Sequence, residues 1–552
     1  MSKRIARVVK PLAQSSTGGV ALAHAAIVFV VAALCYLQTW QFEFTYVDDD
    51  QLILQSQAEL SEPNALVHAF SRPYFRQGAR DHSYYRPVVT ATYVLDAAVH
   101  ADHARGYHLT NLLLHAGVAA LVALWLRGSL HSNGASLFGG LIFALHPVLA
   151  EAVAWVPGRP DVLMTGFSML AWLSFRRGVD KPSLLIRAAH QMAWLLALLC
   201  KETALVLPLV WLLECRLVHR RPWRKLVPLW LWVGWALVLT SYLALRVHAL
   251  SGAPGVFGMG IGVSVAASVF ENAPVLVSSL GKFVFPLELS VLAVAQDTWL
   301  WPGVLALLVV AVVWQRKIIA RENVVLAIVS YGFMMLPNLS ASSKLVLENR
   351  LYLPLVPIVG LATLAFSAID GRRERRLLVG GAVLAVLAGQ TLSYLGAFRD
   401  RRSFALAAVR GSPHSSLAHK NLGLTFHAVG KIEKAEREYR TALQLDPSEP
   451  MAHNNLGTIW GARKQLAVAE REFRAEIAVN PTYAPAHHNL AALLHATHRD
   501  DEAVTHWQAS LDTNHRDSTA TRALYAYYAS RGDSRAAQYK QLLEANSKPS
   551  LR

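Results

Sequence analysis

Residues 416–449 read SLAHKNLGLTFHAVGKIEKAEREYRTALQLDPSE, residues 450–483 read PMAHNNLGTIWGARKQLAVAEREFRAEIAVNPTY, and residues 484–517 read APAHHNLAALLHATHRDDEAVTHWQASLDTNHRD. The three share one register of 34 residues. Asn421-Leu422-Gly423 returns as Asn455-Leu456-Gly457 and as Asn489-Leu490-Ala491; Ala435 returns as Ala469, Ala503 and Ala537. Pro413, Pro447 and Pro481 hold one column, in which the fourth copy carries His515. Asp446-Pro447 and Asn480-Pro481 mark turns between units, and Tyr439, Phe473 and Trp507 supply one large residue each. Small residues sit where two helices approach closely. A period of this length predicts a stack of antiparallel helix pairs.

The period and its columns resemble the tetratricopeptide repeat, with three clear repeats and a weaker fourth over 412–545 and a tail at 546–552. Such a stack presents a concave groove and points to a protein or peptide partner; the plainer reading is that it only holds subunits together.

Upstream of the repeats the composition changes. The whole chain has 552 residues, 53% hydrophobic and 16% charged, with a formal net charge of +16. Residues 1–411 carry a net +14 and residues 412–552 a net +2. The excess charge therefore belongs to the apolar part, where it marks cytoplasmic loops and not a nucleic-acid surface. A soluble multidomain protein, a disordered chain and a disulfide scaffold are excluded. Cys35, Cys200 and Cys215 form no spaced framework.

Apolar runs lie at 20–36, 109–126, 135–150, 161–175, 188–199, 203–213, 226–245, 300–315, 323–336, 352–369 and 377–395. These predict about eleven membrane spans, the first an uncleaved anchor preceded by Lys3, Arg4, Arg7 and Lys10. The stretch 263–290, broken by Glu271, Asn272, Lys282 and Pro286, reads as an interfacial or re-entrant helix. With the N-terminus inside, the dense basic clusters (Arg127; Arg176, Arg177, Lys181, Arg187; Arg216, Arg220, Arg221, Arg224, Lys225; Arg316, Lys317, Arg321; Arg372, Arg373, Arg375, Arg376) all fall on the cytoplasmic side. The loop 41–108 and everything after about 396 are then extracytoplasmic. The fold class is all-α: a polytopic membrane domain over 1–411 and an α-solenoid after it.

Polar residues that orientation does not explain gather on the outer side. Asp48, Asp49 and Asp50 stand just past the first span, where crowded carboxylates can hold a base of raised pKa or a cation. The bland alternative is a solvated acidic turn or a helix start. Arg86 follows in the same loop. His108, Asn111 and His115 share a helical face at i, i+3, i+7 and suit a polar site, a weak metal pair, or interhelical hydrogen bonds. His146, Glu151, Arg159, Lys201, Glu202, Arg350 and Tyr352 complete the set. Arginine forks match phosphate oxygens, so cations beside a carboxylate base suit a phosphate-bearing lipid at the membrane edge.

In order along the chain, Tyr46-Val47-Asp48-Asp49 with Ile53, Tyr85-Arg86-Pro87, Tyr107-His108-Leu109-Thr110-Asn111 with His115, His146-Pro147 with Glu151, Trp155 and Arg159, Lys201-Glu202 with Pro208, and Asn349-Arg350-Leu351-Tyr352-Leu353-Pro354 resemble the TMTC family of transmembrane and tetratricopeptide-repeat proteins. The resemblance implies a GT-C glycosyltransferase that takes a sugar from a polyprenyl-phosphate carrier, with an acidic pair as its catalytic motif. Carried over, that pair is Asp48 and Asp49, with Asp50 an additional acid. TMTC members are associated with protein O-mannosylation. The short repeat array and the preference for arginine over lysine suggest a bacterial member in the inner membrane, with undecaprenyl phosphate as carrier and the sugar not restricted to mannose; a dolichyl carrier is the alternative.

The expected reaction is inverting transfer to hydroxyls of extracytoplasmic proteins, with Asp48 or Asp49 as general base. Arg159, Lys201 or Arg350 would neutralise the departing phosphate, so no metal is required, although a divalent metal stays open. The alternatives are transfer to an envelope lipid or polysaccharide, or a non-catalytic repeat scaffold anchored in the membrane.

Overall fold

A computed structural model describes residues 17–75, 84–130, 132–180, 183–218, 220, 228–251, 268–287, 289–339, 345–368, 373–513 and 517–547. Lys3, Arg4, Arg7, Lys10, Lys181, Arg221, Arg224, Lys225, Arg372, His515 and the end of the tail lie outside the described residues. Cα proximity divides the chain between Ala407 and Ala408 into two compact units.

In the first unit each of the eleven apolar runs coincides with a helix: Thr17–Tyr36, Ala104–Leu130, Asn133–Leu145, Arg159–Asp180, Leu184–Cys200, Leu207–Leu217, Leu229–Leu250, Trp301–Gln315, Arg321–Leu339, Leu355–Ser367 and Arg373–Leu395. Among the described residues, five helices are long and apolar enough to cross a bilayer by length and composition, or six if a bent pair counts as one span. Leu184–Cys200, Trp301–Gln315 and Leu355–Ser367 are apolar but shorter. Polar residues of one cluster stand at several helix ends: Leu184–Cys200 ends at Lys201, Arg159–Asp180 opens on Arg159 and Asp161, and Leu355–Ser367 follows the Glu348–Leu351 turn.

The bent pair is Asn133–Leu145 and Pro147–Ala154, which meet at 49°. Pro147 lacks an N–H and forces the preceding His146 out of helical geometry, to φ −78°, ψ 120°. Within the ambiguous stretch, whose residues 263–267 and 288 lie outside the description, Ala273–Val284 has 12 residues. At ~1.5 Å per residue it is about 18 Å long, short of the ~30 Å hydrocarbon core. It packs on Trp301–Gln315 through glycines: a Cβ on Gly281 would come 2.5 Å from the Gly303 amide nitrogen.

Cross-helix bonds tie one set of helix ends together. Arg159 Nε donates to Asn111 Oδ1, Lys201 Nζ to Asp161, Thr391 Oγ1 to the Leu145 carbonyl, and the Glu43 amide to the Arg399 carbonyl. That end carries the candidate site.

The second unit contains four helix pairs: Ser416–Ala428 with Ile432–Leu445, Ala452–Ala462 with Leu466–Val479, Ala484–Ala496 with Asp500–Thr513, and Ser518–Ser530 with Arg535–Ser547. The weak fourth copy thus folds as the others do. Gly423 and Gly457 are where the large column presses closest; an added Cβ would stand 2.6 Å from the Tyr439 ring and 2.5 Å from that of Phe473. A further column emerges at the turn inside each pair. Gly430, Lys464, His498 and Gly532 all have left-handed backbones, with φ between 60° and 72°. The next amide bonds back five residues in every copy: Lys431 to Phe426, Gln465 to Trp460, Arg499 to Leu494, Asp533 to Tyr528. This is the Schellman closure of a helix C-terminus.

Candidate active site

The chain leaves the first helix through Leu37–Gln41 and turns sharply over 42–49. Tyr46 and Asp48 both take left-handed backbones, φ 61° and 67°. Non-glycine residues pay roughly 1–2 kcal/mol for that conformation. The turn is pinned from outside: Trp155 Nε1 donates to the Val47 carbonyl at 3.0 Å, and Phe44 packs edge-on against Tyr107. The effect is to fold Asp49 back into the protein, 1% exposed, while Asp48 and Asp50 are half-buried.

Asp49 Oδ2 accepts the Thr45 amide at 2.7 Å and the Thr45 hydroxyl at 2.6 Å. Its Oδ1 is buried and has no hydrogen-bond partner among the described residues. Burial pushes the Asp49 carboxyl up to about 7; the Thr45 bonds oppose that shift, and Asp48 and Asp50 add to it.

The cations divide by what they are bonded to. Arg159 is fully buried and committed: Nε to Asn111 Oδ1 at 2.6 Å, NH1 to Thr92 and to Asp96 Oδ2, NH2 to the Tyr107 carbonyl, with the guanidinium 4.6 Å from the Tyr93 ring centroid. Lys201 forks both oxygens of Asp161, at 2.7 and 2.8 Å, and Asn349 Nδ2 joins them at 3.1 Å. Arg86 lies 3.5 Å from Glu202, between the rings of Tyr74 and Tyr84. Arg350 differs: among the described residues no carboxylate is within ion-pair distance of it. Burial lowers its pKa, and it lies within electrostatic reach of Asp161, Arg86 and Glu151. Arg350 also lines a shallow cleft whose walls are Val275, Met335, Leu345, Val346, Leu347 and Leu351, with Asn272 and Asn338.

Glu151 is completely buried; its Oε2 accepts the backbone amides of Glu348 at 2.6 Å and Asn349 at 3.1 Å. Glu348 in turn accepts from Lys282 Nζ at 2.7 Å and from Tyr394. The three residues expected on one helical face do point inward. Asn111 Nδ2 donates to the Val153 carbonyl, His115 bonds the Tyr352 hydroxyl and the Ala144 carbonyl, and His108 lies 3.4 Å from the Glu43 carbonyl. His146 bridges the Phe283 carbonyl and the Val148 amide. Among the described residues no group of three His, Cys, Asp or Glu is placed to hold a metal.

The structure therefore gathers Arg86, Glu151, Lys201, Glu202 and Arg350 into one polar cluster. Tyr74 links it to the acidic turn, being within electrostatic reach of both Arg86 and Asp48. Thr45, Tyr74 and Tyr394 take part without having been singled out from the sequence, and so does Lys282, which the sequence marked only as a break in an apolar stretch.

A family model described as TPR repeat matches residues 423–459. Protein O-mannosyl-transferase TMTC4 of Homo sapiens is 26% identical over 75% of this chain, and Protein O-mannosyl-transferase Tmtc2 of Drosophila melanogaster is 33% identical over 33% of it. The chain covers 65% of the first relative's length and 20% of the second's. Among solved structures, that of MamA covers 32% of this chain and 96% of its own at 16% identity, with a TM-score of 0.24. In its apolar helices and its tetratricopeptide pairs this is a membrane protein that is similar, along three quarters of its length, to the TMTC protein named above.

Proposed function

We propose that this protein transfers a sugar from a polyprenyl-phosphate carrier to hydroxyl groups of proteins outside the cytoplasm, with inversion at the anomeric carbon. The relatives named protein O-mannosyl-transferases support glycosyl transfer to protein, and make mannose the first sugar to test. The observation that carries the reading is the buried carboxylate oxygen of Asp49 that has no hydrogen-bond partner among the described residues; Arg350, which has no carboxylate partner among them, is the cation left to meet a phosphate.

The acceptor hydroxyl oxygen attacks the anomeric carbon as its proton passes to Asp49. The bond from that carbon to the phosphate oxygen breaks, and its electron pair leaves with the polyprenyl phosphate. A buried carboxylate oxygen without a partner is costly, and a donating hydroxyl relieves that cost. A base near pKa 7 is matched to neutral pH. Arg350 takes the departing phosphate while the cleft's apolar wall takes the first part of the lipid. Lys201 and Arg159 already have carboxylate partners and serve to hold the framework. The repeats would bring the protein acceptor, and deleting 412–552 should impair transfer to folded proteins while sparing donor use.

The test is transfer by the purified chain from a panel of polyprenyl-phosphate sugars to a serine- or threonine-containing protein. Transfer from at least one donor, lost in Asp49→Asn, is expected. No transfer from any, or full activity in Asp49→Asn, overturns the reading.

A further inference from the structure

We propose that Thr45 is the positioning residue of the acidic turn: its amide and its hydroxyl together hold Asp49 Oδ2, so that Oδ1 alone is presented to the acceptor proton. The proposal rests on the reading of Asp49 as general base.

The geometry selects among three neighbouring carboxylates. Asp49 alone is folded inward, and its two oxygens are made unequal by the turn. Oδ2 is saturated by two donors from one residue at 2.7 and 2.6 Å, whereas Oδ1 has no partner among the described residues. Two left-handed residues, Tyr46 and Asp48, are needed to bring position 49 back onto position 45. Such strain persists only where the surroundings over-determine it, and here Trp155 and the Glu43–Arg399 backbone bond do so.

A hydroxyl that donates to a carboxylate also favours its charged form. Among the described residues, the other charged or titratable groups in electrostatic contact with Asp49 are Asp48 and Asp50 on its own segment and Tyr93 from the helix Pro87–His100, with Arg159 behind it; Arg401 stacks on Tyr46 of the same turn. None of these is hydrogen-bonded to Asp49 among the described residues, whereas Thr45 is, twice.

The experiment is an infrared pH titration of the full chain in lipid nanodiscs, following the protonated-carboxyl band that Asp49→Asn removes. Thr45→Val, which keeps the amide and deletes the hydroxyl, should move that titration up by about one to two pH units, the worth of one charge-assisted hydrogen bond. Thr45→Ser should restore it. Thr45→Ala serves in place of Thr45→Val if the latter does not insert. An unmoved or lowered midpoint in the hydroxyl-less variant overturns the proposal, as does the lack of any band removed by Asp49→Asn. In the transfer assay the rising limb of the pH profile should move by the same amount. A shifted titration in a chain that transfers no sugar leaves the Thr45 bond intact and sinks the transferase reading instead; an active chain with an unshifted titration does the reverse.

Discussion

Glu151 accepts the backbone amide of Glu348 at 2.6 Å, joining residues 197 positions apart. The same oxygen accepts the Asn349 amide. The carboxylate therefore holds the first two peptide groups of the turn that carries Arg350, and fixes where that guanidinium stands. Glu151→Ala should leave the turn untethered and raise the KM for the lipid-linked donor about tenfold, each lost hydrogen bond being worth ~0.5–1.5 kcal/mol. Glu151→Gln keeps an accepting oxygen and should stay within a few-fold of wild type. Donor-concentration dependence of initial rates checks this; equal KM values for all three proteins would remove Glu151 from the role.

Asp49→Asn should lower transfer by ~10²–10⁴-fold, the usual contribution of general acid–base catalysis. In the wild type kcat/KM should rise with pH through about 7, because the base must be ionised and burial sets its carboxyl there. Stability runs the other way. The folded pKa is raised above the ordinary value of 3.8, so the contribution of Asp49 is fully present below that value and is lost as pH rises through about 7. The inactive Asn variant should therefore melt at or above the wild-type temperature at pH 8. A clear loss of melting temperature would show that inactivity reflects misfolding.

Lys201 and Asp161 form a buried pair, 9% and 3% exposed. Asp161→Ala leaves a buried ammonium uncompensated and should cost about 3–5 kcal/mol of stability. Replacing both residues by apolar ones should recover most of it. Thermal aggregation in detergent ranks the single and double variants, and an additive double variant would mean that the two charges are not coupled.

The helices and the repeats were legible because their signals are periodic. Apolar runs mark helices wherever they occur, and the 34-residue columns need no partner to be seen. The site was half legible. Its charged residues stand out against an apolar background, but charge alone does not tell a committed group from an available one. Arg159 and Arg350 look alike in sequence; Asp96, Asn111, Thr92 and Tyr107 engage all three guanidinium nitrogens of the first, and only three-dimensional packing shows it. Thr45 carried no signal, since a threonine before an acidic run is ordinary and its bond depends on two left-handed residues between.

The left-handed column in the repeats gives a stability test independent of catalysis. Lys464 and His498 are exposed and occupy positions where Gly430 and Gly532 stand in the other copies. Lys464→Gly and His498→Gly should each stabilise the repeats by up to about 1 kcal/mol, read as slower amide exchange in the flanking helices. Gly430→Ala should act in the opposite direction. Faster exchange in both glycine variants would mean that the side chains, and not the backbone, decide these turns.

The same register sets a pH dependence. His419 and His453, 34 residues apart, each present Nδ1 to a glutamate on the facing helix, Glu438 and Glu472, at 2.7 Å. The glutamate hydrogen bond raises both pKa values above 6.5. That stabilisation is complete below about 6.5 and fades as pH rises through the raised values. In the third copy the glutamate column holds His506, whose Nδ1 lies 3.0 Å from that of His487. Burial, with His487 next, lowers the His506 pKa, so this pair loses stability as pH falls through that lowered value. The first two repeats should therefore gain, and the third lose, amide protection on going from pH 8 to pH 5. His506→Glu should convert the third to the behaviour of the others. Uniform protection changes across all three repeats, or a His506→Glu variant that still loosens at low pH, would show that these pairs do not govern the stability of their units.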